Sequence, residues 1–322
     1  MGFLDERQRR RLEEDGYLVV DGVLDPTNDL QPVMAEYSQV LDGIAHELLA
    51  AGEIGSDYSD LAFNERLIQI CGESGRNFPQ HFDISLPQAG IRLDTPIHVG
   101  PAVFGLLTHP RLLDLVEDIC GPEIYSNPVQ HIRMKLPKRA VAADCTSGLV
   151  TKIPWHQDNG VILPEADQSS ILTVWLPVTA ATVENGCLQV IPGSHRGDLA
   201  AHCPTDKGAA IPDRLVDAAQ AVPTPMQPGS VLLMHQRTIH SSLDNVTESE
   251  VRISFDLRYQ PVGQHTGRPA FPGFVARSRA HPETVLSDPA AWAAGWYAAR
   301  ERLAEQENTP FNRWRAGEGV CA

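Results

Sequence analysis

The 322-residue sequence is poor in positive charge: 26 Lys and Arg stand against 41 Asp and Glu, a formal net charge of −15. A field of that sign repels phosphate backbones and anionic bilayers, which argues against nucleic acid or a membrane as partner. It still leaves room for a local basic pocket. No apolar run reaches the ~18 residues expected of a membrane-spanning helix. The first fourteen residues are charged and lack an apolar centre, so they do not read as a secretory leader, and a soluble, cytoplasmic protein is expected. Six cysteines occur, none in a Cys-x-x-Cys pair or a zinc-type spacing, and reduced, buried thiols are expected. Internal repeats and low-complexity tracts are absent. Hydrophobic residues reach 42%, enough for a core.

The pattern suggests a single domain over residues 1–322. Its first part, 1–122, reads as largely helical. A helix is expected over 5–16, ending at a glycine, followed by a strand over 17–22. A second helix opens at Asp25-Pro26, with Leu30, Val33, Met34, Tyr37, Val40, Leu41 and Ile44 at helical spacing. A further helix is expected over 106–119, stopped by Cys120-Gly121-Pro122. From Glu123 to about 262 short β-rich runs alternate with Pro and Gly: 129–136, 170–178, 187–191, 231–235 and 251–259. Such runs suggest an all-β barrel or sandwich. A polar stretch, 139–152, reads as a loop or flap. Residues 263–322 read as loop, then helix from about 289 to 307.

Two segments carry the chemistry. Trp155-His156-Gln157-Asp158-Asn159-Gly160 contains a His-x-Asp, whose outer residues share a face on a period-two strand; Asn159-Gly160 is a turn signal. Ile239-His240 lies 84 positions beyond His156. Two His and one carboxylate on one side of a metal hold non-heme Fe(II) and leave positions open. A second His-x-Asp, His81-Phe82-Asp83, precedes the β-rich part, so His81 is placed at the surface or a pocket edge. His235 competes with His240 but follows an apolar run, and His240 is preferred. In the alternating strand from Val251, Arg252, Ser254, Asp256 and Arg258 share one face. Directed into a barrel, Arg252 and Ser254 would offer a guanidinium and a hydroxyl to one carboxylate. Thr173 and Trp175 share a face and could line the same pocket; His195, in a turn, is expected at the surface.

These residues resemble the phytanoyl-CoA dioxygenase-like family of Fe(II)/2-oxoglutarate-dependent oxygenases. The similar stretches are Trp155-His156-Gln157-Asp158, the ordered run from Glu184 through Gly186-Cys187-Leu188-Gln189-Val190-Ile191-Pro192-Gly193-Ser194 to Gly197, Gln227-Pro228-Gly229-Ser230-Val231, His240 to Thr247, and Arg252. The likeness covers roughly residues 10–262. It implies a mainly β fold with flanking helices, a double-stranded β-helix (jelly-roll, cupin-like) barrel. It implies iron ligation by His156, Asp158 and His240, and binding of the 2-oxoglutarate cosubstrate by Arg252 with Ser254, Trp175 and Thr173. Gln130 and Asn159 are assigned to substrate. Related halogenases replace the carboxylate with a small residue; Asp158 is present, which favours oxygen transfer. The expected activity is hydroxylation of a small-molecule metabolite with O2, releasing succinate and CO2. The alternatives are a cupin-like metal enzyme that does not use 2-oxoglutarate, and a non-catalytic binding module. The insert at 139–152 departs from the family pattern and leaves the basic residues of the preceding strand unassigned between Lys135 and Lys138. The sequence does not state an oligomeric state.

Overall fold

Helix signals in the first third are borne out in the computed structural model, which describes residues 2–306, 309–315, 317 and 319–321. Helix α1 (Glu6–Asp15) opens with a capping box: the Asp5 carboxylate accepts from the Gln8 N–H, and the Gln8 side chain accepts from the Asp5 N–H. It closes at Gly16, φ 76°, where a Cβ would meet the His195 ring at 2.2 Å. Helices α2 (Gln31–Ala50), α3 (Phe63–Ser74) and the short α4 (Pro79–Phe82) follow. The helix expected over 106–119 is instead two, α5 (Pro101–Leu107) and α6 (Pro110–Cys120). Pro110 disfavours the helical region for the residue before it, and His109 is extended at ψ 126°. Helix α7 (Pro289–Ala304) lies in the last part of the chain.

The strands are β1 (Tyr17–Val20), β2 (Glu123–Lys135), β3 (Leu172–Pro177), β4 (Leu188–Val190), β5 (Cys203–Thr205), β6 (Gly208–Ala210), β7 (Val222–Thr224), β8 (Val231–His235), β9 (His240–Ser242), β10 (Arg252–Pro261) and β11 (Phe274–Ser278). A six-stranded antiparallel sheet runs β1-β8-β3-β10-β2-β11; a three-stranded sheet runs β7-β4-β9; β5 and β6 form a hairpin. Trp175, Leu232 and Met234 of the large sheet pack on Leu188, Val190 and Met226 from the small-sheet side, so the sheets face each other. This is the jelly-roll architecture. The other face of the large sheet, with Val174, Leu176, Leu233, Ile253 and Phe255, packs on α2, α3, α5 and α6. The β11 edge strand and the small strands β5, β6, β7 and β9 were not expected; the last four are three residues each, too short to show an alternation.

Strand β10 places the site. Every residue from Arg252 to Gln260 is buried. Ile253, Phe255, Leu257 and Tyr259 join the helical layer, while Arg252, Ser254, Asp256 and Arg258 turn between the sheets, where polar groups must find partners. Against the expectation of six free thiols, Cys203 and Cys321 form a disulfide across 118 positions of sequence, while Cys71, Cys120, Cys145 and Cys187 are free. No local spacing could announce a bridge of that span. Among the described residues no helix is long and apolar enough to cross a membrane.

Candidate metal centre and cosubstrate pocket

His156 and His240 meet through their main chains before their side chains. Each N–H donates to the other's carbonyl at 3.0 Å, an antiparallel bridge at the edge of the small sheet. Such a pair sets the two side chains on one face, and the ring centroids are 4.2 Å apart. Each ring turns Nδ1 to the carbonyl two residues back, Pro154 at 3.0 Å and Thr238 at 2.9 Å. A carbonyl only accepts, so Nδ1 carries the proton in both rings and both Nε2 lone pairs remain available. Burial and the neighbouring His240 ring push His156 down to about 3, so it is neutral at ordinary pH.

Asp158 begins a 3-10 turn, Asp158–Val161, and presents its carboxylate beside the rings, 3.8 Å from His156 Nε2. One donor atom from each of His156, Asp158 and His240 lies within 4.8 Å of the others, and all three residues are buried. Two neutral nitrogens and one anionic oxygen form a donor set that fits Fe(II). Both carboxylate oxygens are engaged from behind: Thr173 Oγ1 donates to Oδ2 and Arg258 Nη2 to Oδ1. Burial pushes the Asp158 carboxyl up, but the Arg258 guanidinium and the His240 ring together hold it below its ordinary value. Arg258 also faces Asp256 at 3.5 Å, which pairs with Arg133 at 2.9 Å.

Arg252 is completely buried. Its Nη1 donates to Ser254 Oγ, and its guanidinium lies 5.5 Å from the Trp175 ring centroid. Nε and Nη2 have no partner, and among the described residues no carboxylate pairs with it. Burial, then the charge of Arg133, holds it down to about 9. Lys135, opposite Arg252 on β2, donates to Ser242 Oγ at 2.6 Å and to the Leu243 carbonyl. Burial and Arg252 push it down to about 5, so it adds no second charge near neutrality. A buried guanidinium with two idle nitrogens is costly alone and well suited to a carboxylate. The residues thus fit 2-oxoglutarate at its far end.

The remaining candidates divide. Trp175 and Ser254 touch Arg252 as described, whereas Thr173 serves Asp158. Gln130 turns toward the helical layer, its Nε2 3.5 Å from the Ile84 carbonyl; the cavity is reached from β2 by Val129, His131 and Arg133 instead. Asn159 directs Nδ2 to Asp167 at 3.1 Å. Asp83 of the second His-x-Asp binds His131 Nδ1 at 2.8 Å and accepts from the Ile84 and Ile132 amides, and among the described residues it joins no metal cluster. His195 is buried rather than at the surface, with Nε2 3.1 Å from the Glu13 carbonyl. The His235 ring is tilted against it at 5.3 Å between centroids, and His235 does not join the triad.

The sequence assigns no role to two participants: Arg258, which it places only on the inward face of its strand, and His202. His202 is fully buried; Nε2 accepts from the Gln157 N–H at 2.9 Å, and Nδ1 donates to Ala200 at 2.8 Å. It occupies the space where a Cβ on Gly160 would stand, at 2.1 Å, which requires glycine there. Trp314 stacks on His202 at 5.5 Å and donates to the Gly160 carbonyl at 2.6 Å, and Arg313 pairs with Asp167 at 2.7 Å. The tail therefore braces the turn that carries Asp158. A cavity of about 180 Å³ opens beside His156.

The family model described as phytanoyl-CoA dioxygenase matches residues 12–254. A cattle (Bos taurus) relative, phytanoyl-CoA dioxygenase domain-containing protein 1, is 24% identical over 269 residues, covering 77% of this chain and 87% of its own. The 1-deoxypentalenic acid 11-beta-hydroxylase of Streptomyces arenae is 30% identical over 174 residues, 50% of this chain and 58% of its own. Among solved structures, the apo non-heme monooxygenase ThoJ superposes with a TM-score of 0.58 at 20% identity, covering 91% of this chain and 95% of that one, which shows a shared fold.

Proposed function

The chain belongs to the phytanoyl-CoA dioxygenase family of iron- and 2-oxoglutarate-dependent oxygenases, and from that premise we propose that it hydroxylates an unactivated C–H bond of a small-molecule metabolite. His156, Asp158 and His240 would hold the iron; Arg252, with Ser254 and Trp175, would hold the distal carboxylate of 2-oxoglutarate. Bound iron supplies oxygen activation coupled to decarboxylation of 2-oxoglutarate to succinate and CO2, one oxygen atom of O2 entering succinate and the other the substrate.

The chain's own residues prepare that chemistry. The backbone bridge between His156 and His240 fixes the spacing of two ligands, and the carbonyls of Pro154 and Thr238 fix their tautomers. Thr173 and Arg258 orient the Asp158 carboxylate. Arg252 gives the cosubstrate one orientation, and the two packed sheets exclude water around it.

Arg252 carries the reading. A cupin-like enzyme without 2-oxoglutarate would leave its Nε and Nη2 unanswered in the interior. The test is anaerobic addition of Fe(II) and 2-oxoglutarate, followed by the visible charge-transfer band of the chelate. Wild-type protein is expected to develop the band, and Asp158→Ala to lose both the band and oxygen-dependent succinate release. A wild-type protein without the band refutes cosubstrate use; an Asp158→Ala variant that keeps full succinate release refutes the ligand assignment.

A further inference from the structure

A second buried guanidinium stands without an anion. Arg268 is 2% exposed, and among the described residues no carboxylate pairs with it. Nη2 donates to the Val161 carbonyl at 2.8 Å, on the turn that carries Asp158. Nε has no partner, and Nη1 makes no hydrogen bond among the described residues. The rings of Phe311 and Phe271, with centroids 5.3 and 5.8 Å from its guanidinium carbon, offset part of the cost of burial but offer no acceptor. Burial, followed by the charge of Arg258, holds Arg268 down to about 9, so it stays a cation near neutrality.

The surroundings sharpen the point. The cavity of about 180 Å³ that His156 lines is lined also by Arg268, Arg258, Arg133 and Lys207, and among the described residues by no Asp or Glu. Arg258 and Arg133 are committed to Asp158 and Asp256. Arg258 also leaves its Nε without a partner, but among the described residues Arg268 is the buried cation of that cavity that no carboxylate answers. In a chain with net charge −15, a pocket of this sign beside the metal ligands demands an anion to complete it.

We propose that the substrate is a small carboxylic acid whose carboxylate is held by Arg268 while its carbon skeleton lies toward His156. The proposal rests on the reading of His156, Asp158 and His240 as the reacting centre. It separates the two arginines by role, Arg252 for the cosubstrate and Arg268 for the substrate. It selects the free acid over its coenzyme A thioester, because the thioester group that takes the place of the carboxylate is itself uncharged, and a cavity of about 180 Å³ leaves no room for the anionic coenzyme. Val129, Val161, Ile153, Leu149 and Pro154, which also line the cavity, offer apolar contact to the skeleton. The volume suits a ring or chain of modest size.

The test uses protein loaded with Fe(II) and 2-oxoglutarate under argon, titrated calorimetrically with cyclohexanecarboxylate, cyclohexanecarboxamide and cyclohexanecarboxyl-coenzyme A. A charge-assisted pair in a buried site should favour the acid over the amide by about ten- to hundredfold, with the thioester weaker than the acid. Arg268→Gln should erase the preference and Arg268→Lys retain part of it, both keeping the chelate band. Equal wild-type affinity for acid and amide, tighter binding of the thioester, or an undiminished preference in Arg268→Gln overturns the proposal. Should Arg268→Gln fail to fold, the wild-type comparison and Arg268→Lys still decide. A chelate band without acid preference sinks this inference alone; acid preference without the band sinks the cosubstrate reading and leaves an anion site at Arg268.

Discussion

Replacing Arg252 by methionine should stabilise the unliganded protein while destroying its response to 2-oxoglutarate. The guanidinium, ordinarily protonated up to 12.5, is held to about 9 inside the fold. That much lost proton affinity corresponds to about 5 kcal/mol of destabilisation at pH 7 in the absence of an anion. Methionine removes the charge with a stem of similar reach. It forfeits the hydrogen bond to Ser254 and the stacking on Trp175, together about 3 kcal/mol. The balance favours the variant by about 2 kcal/mol, a rise in Tm of a few degrees for a chain of this size. With 2-oxoglutarate at a hundred times its dissociation constant the wild type should gain about 2.7 kcal/mol. The variant, having lost a charge-paired contact worth about 3 kcal/mol or more, should bind about a hundredfold more weakly and gain little. Calorimetric melting with and without iron and 2-oxoglutarate would thus show the order of stabilities inverting on ligand addition. A variant that melts well below wild type when unliganded, yet keeps its 2-oxoglutarate shift at the same concentration, refutes the reasoning.

Two other outcomes follow from the tail and the turn it braces. Burial pushes His202 down to about 4 from its ordinary 6.5; the unfolded chain takes up a proton below 6.5 and the folded one does not until about 4, so stability is lost as pH falls through that window, by up to about 3 kcal/mol. Thermal melts from pH 7 to pH 4 should show this decline, and His202→Phe should flatten it. Cys321→Ser, or reduction of wild type, opens a bridge spanning 118 positions and should cost about 4 kcal/mol of stability at neutral pH, read as an earlier denaturant midpoint; an unchanged midpoint would mean that the tail is held without the bridge.

The parts of the site that were legible in the sequence share a cause. The alternation of Arg252, Ser254, Asp256 and Arg258 against Ile253, Phe255, Leu257 and Tyr259 states which residues turn inward, because the period of a strand is two. The His-x-Asp and the distant His240 are residue types whose chemistry is specific. What could not be read is what a residue lacks. Arg268 stands in a loop like many surface arginines, and its want of a carboxylate partner exists only in three dimensions. Arg258 was visible as inward-facing, but its grip on Asp158 depends on a turn 100 positions earlier in the chain reaching its side. His202 gave no sign, since its role is to fill the space that Gly160 leaves. Gln130 rests on the resemblance alone; on β2 it is His131 and Arg133 that stand opposite Asp256 and Ser254 on the inward face. The break at Pro110 was readable and overlooked: a proline inside a helical pattern is a boundary signal.

The mutual backbone pairing of His156 and His240 has a kinetic corollary. Because amides and carbonyls, rather than an ion, keep these two imidazoles abreast, the ligand pair survives loss of its cargo as a ready-made socket. Metal uptake then demands no refolding of distant strands. Iron stripped by a chelator should return at a rate governed by encounter and dehydration of the ion, and a protein starved of iron should persist, folded, awaiting it.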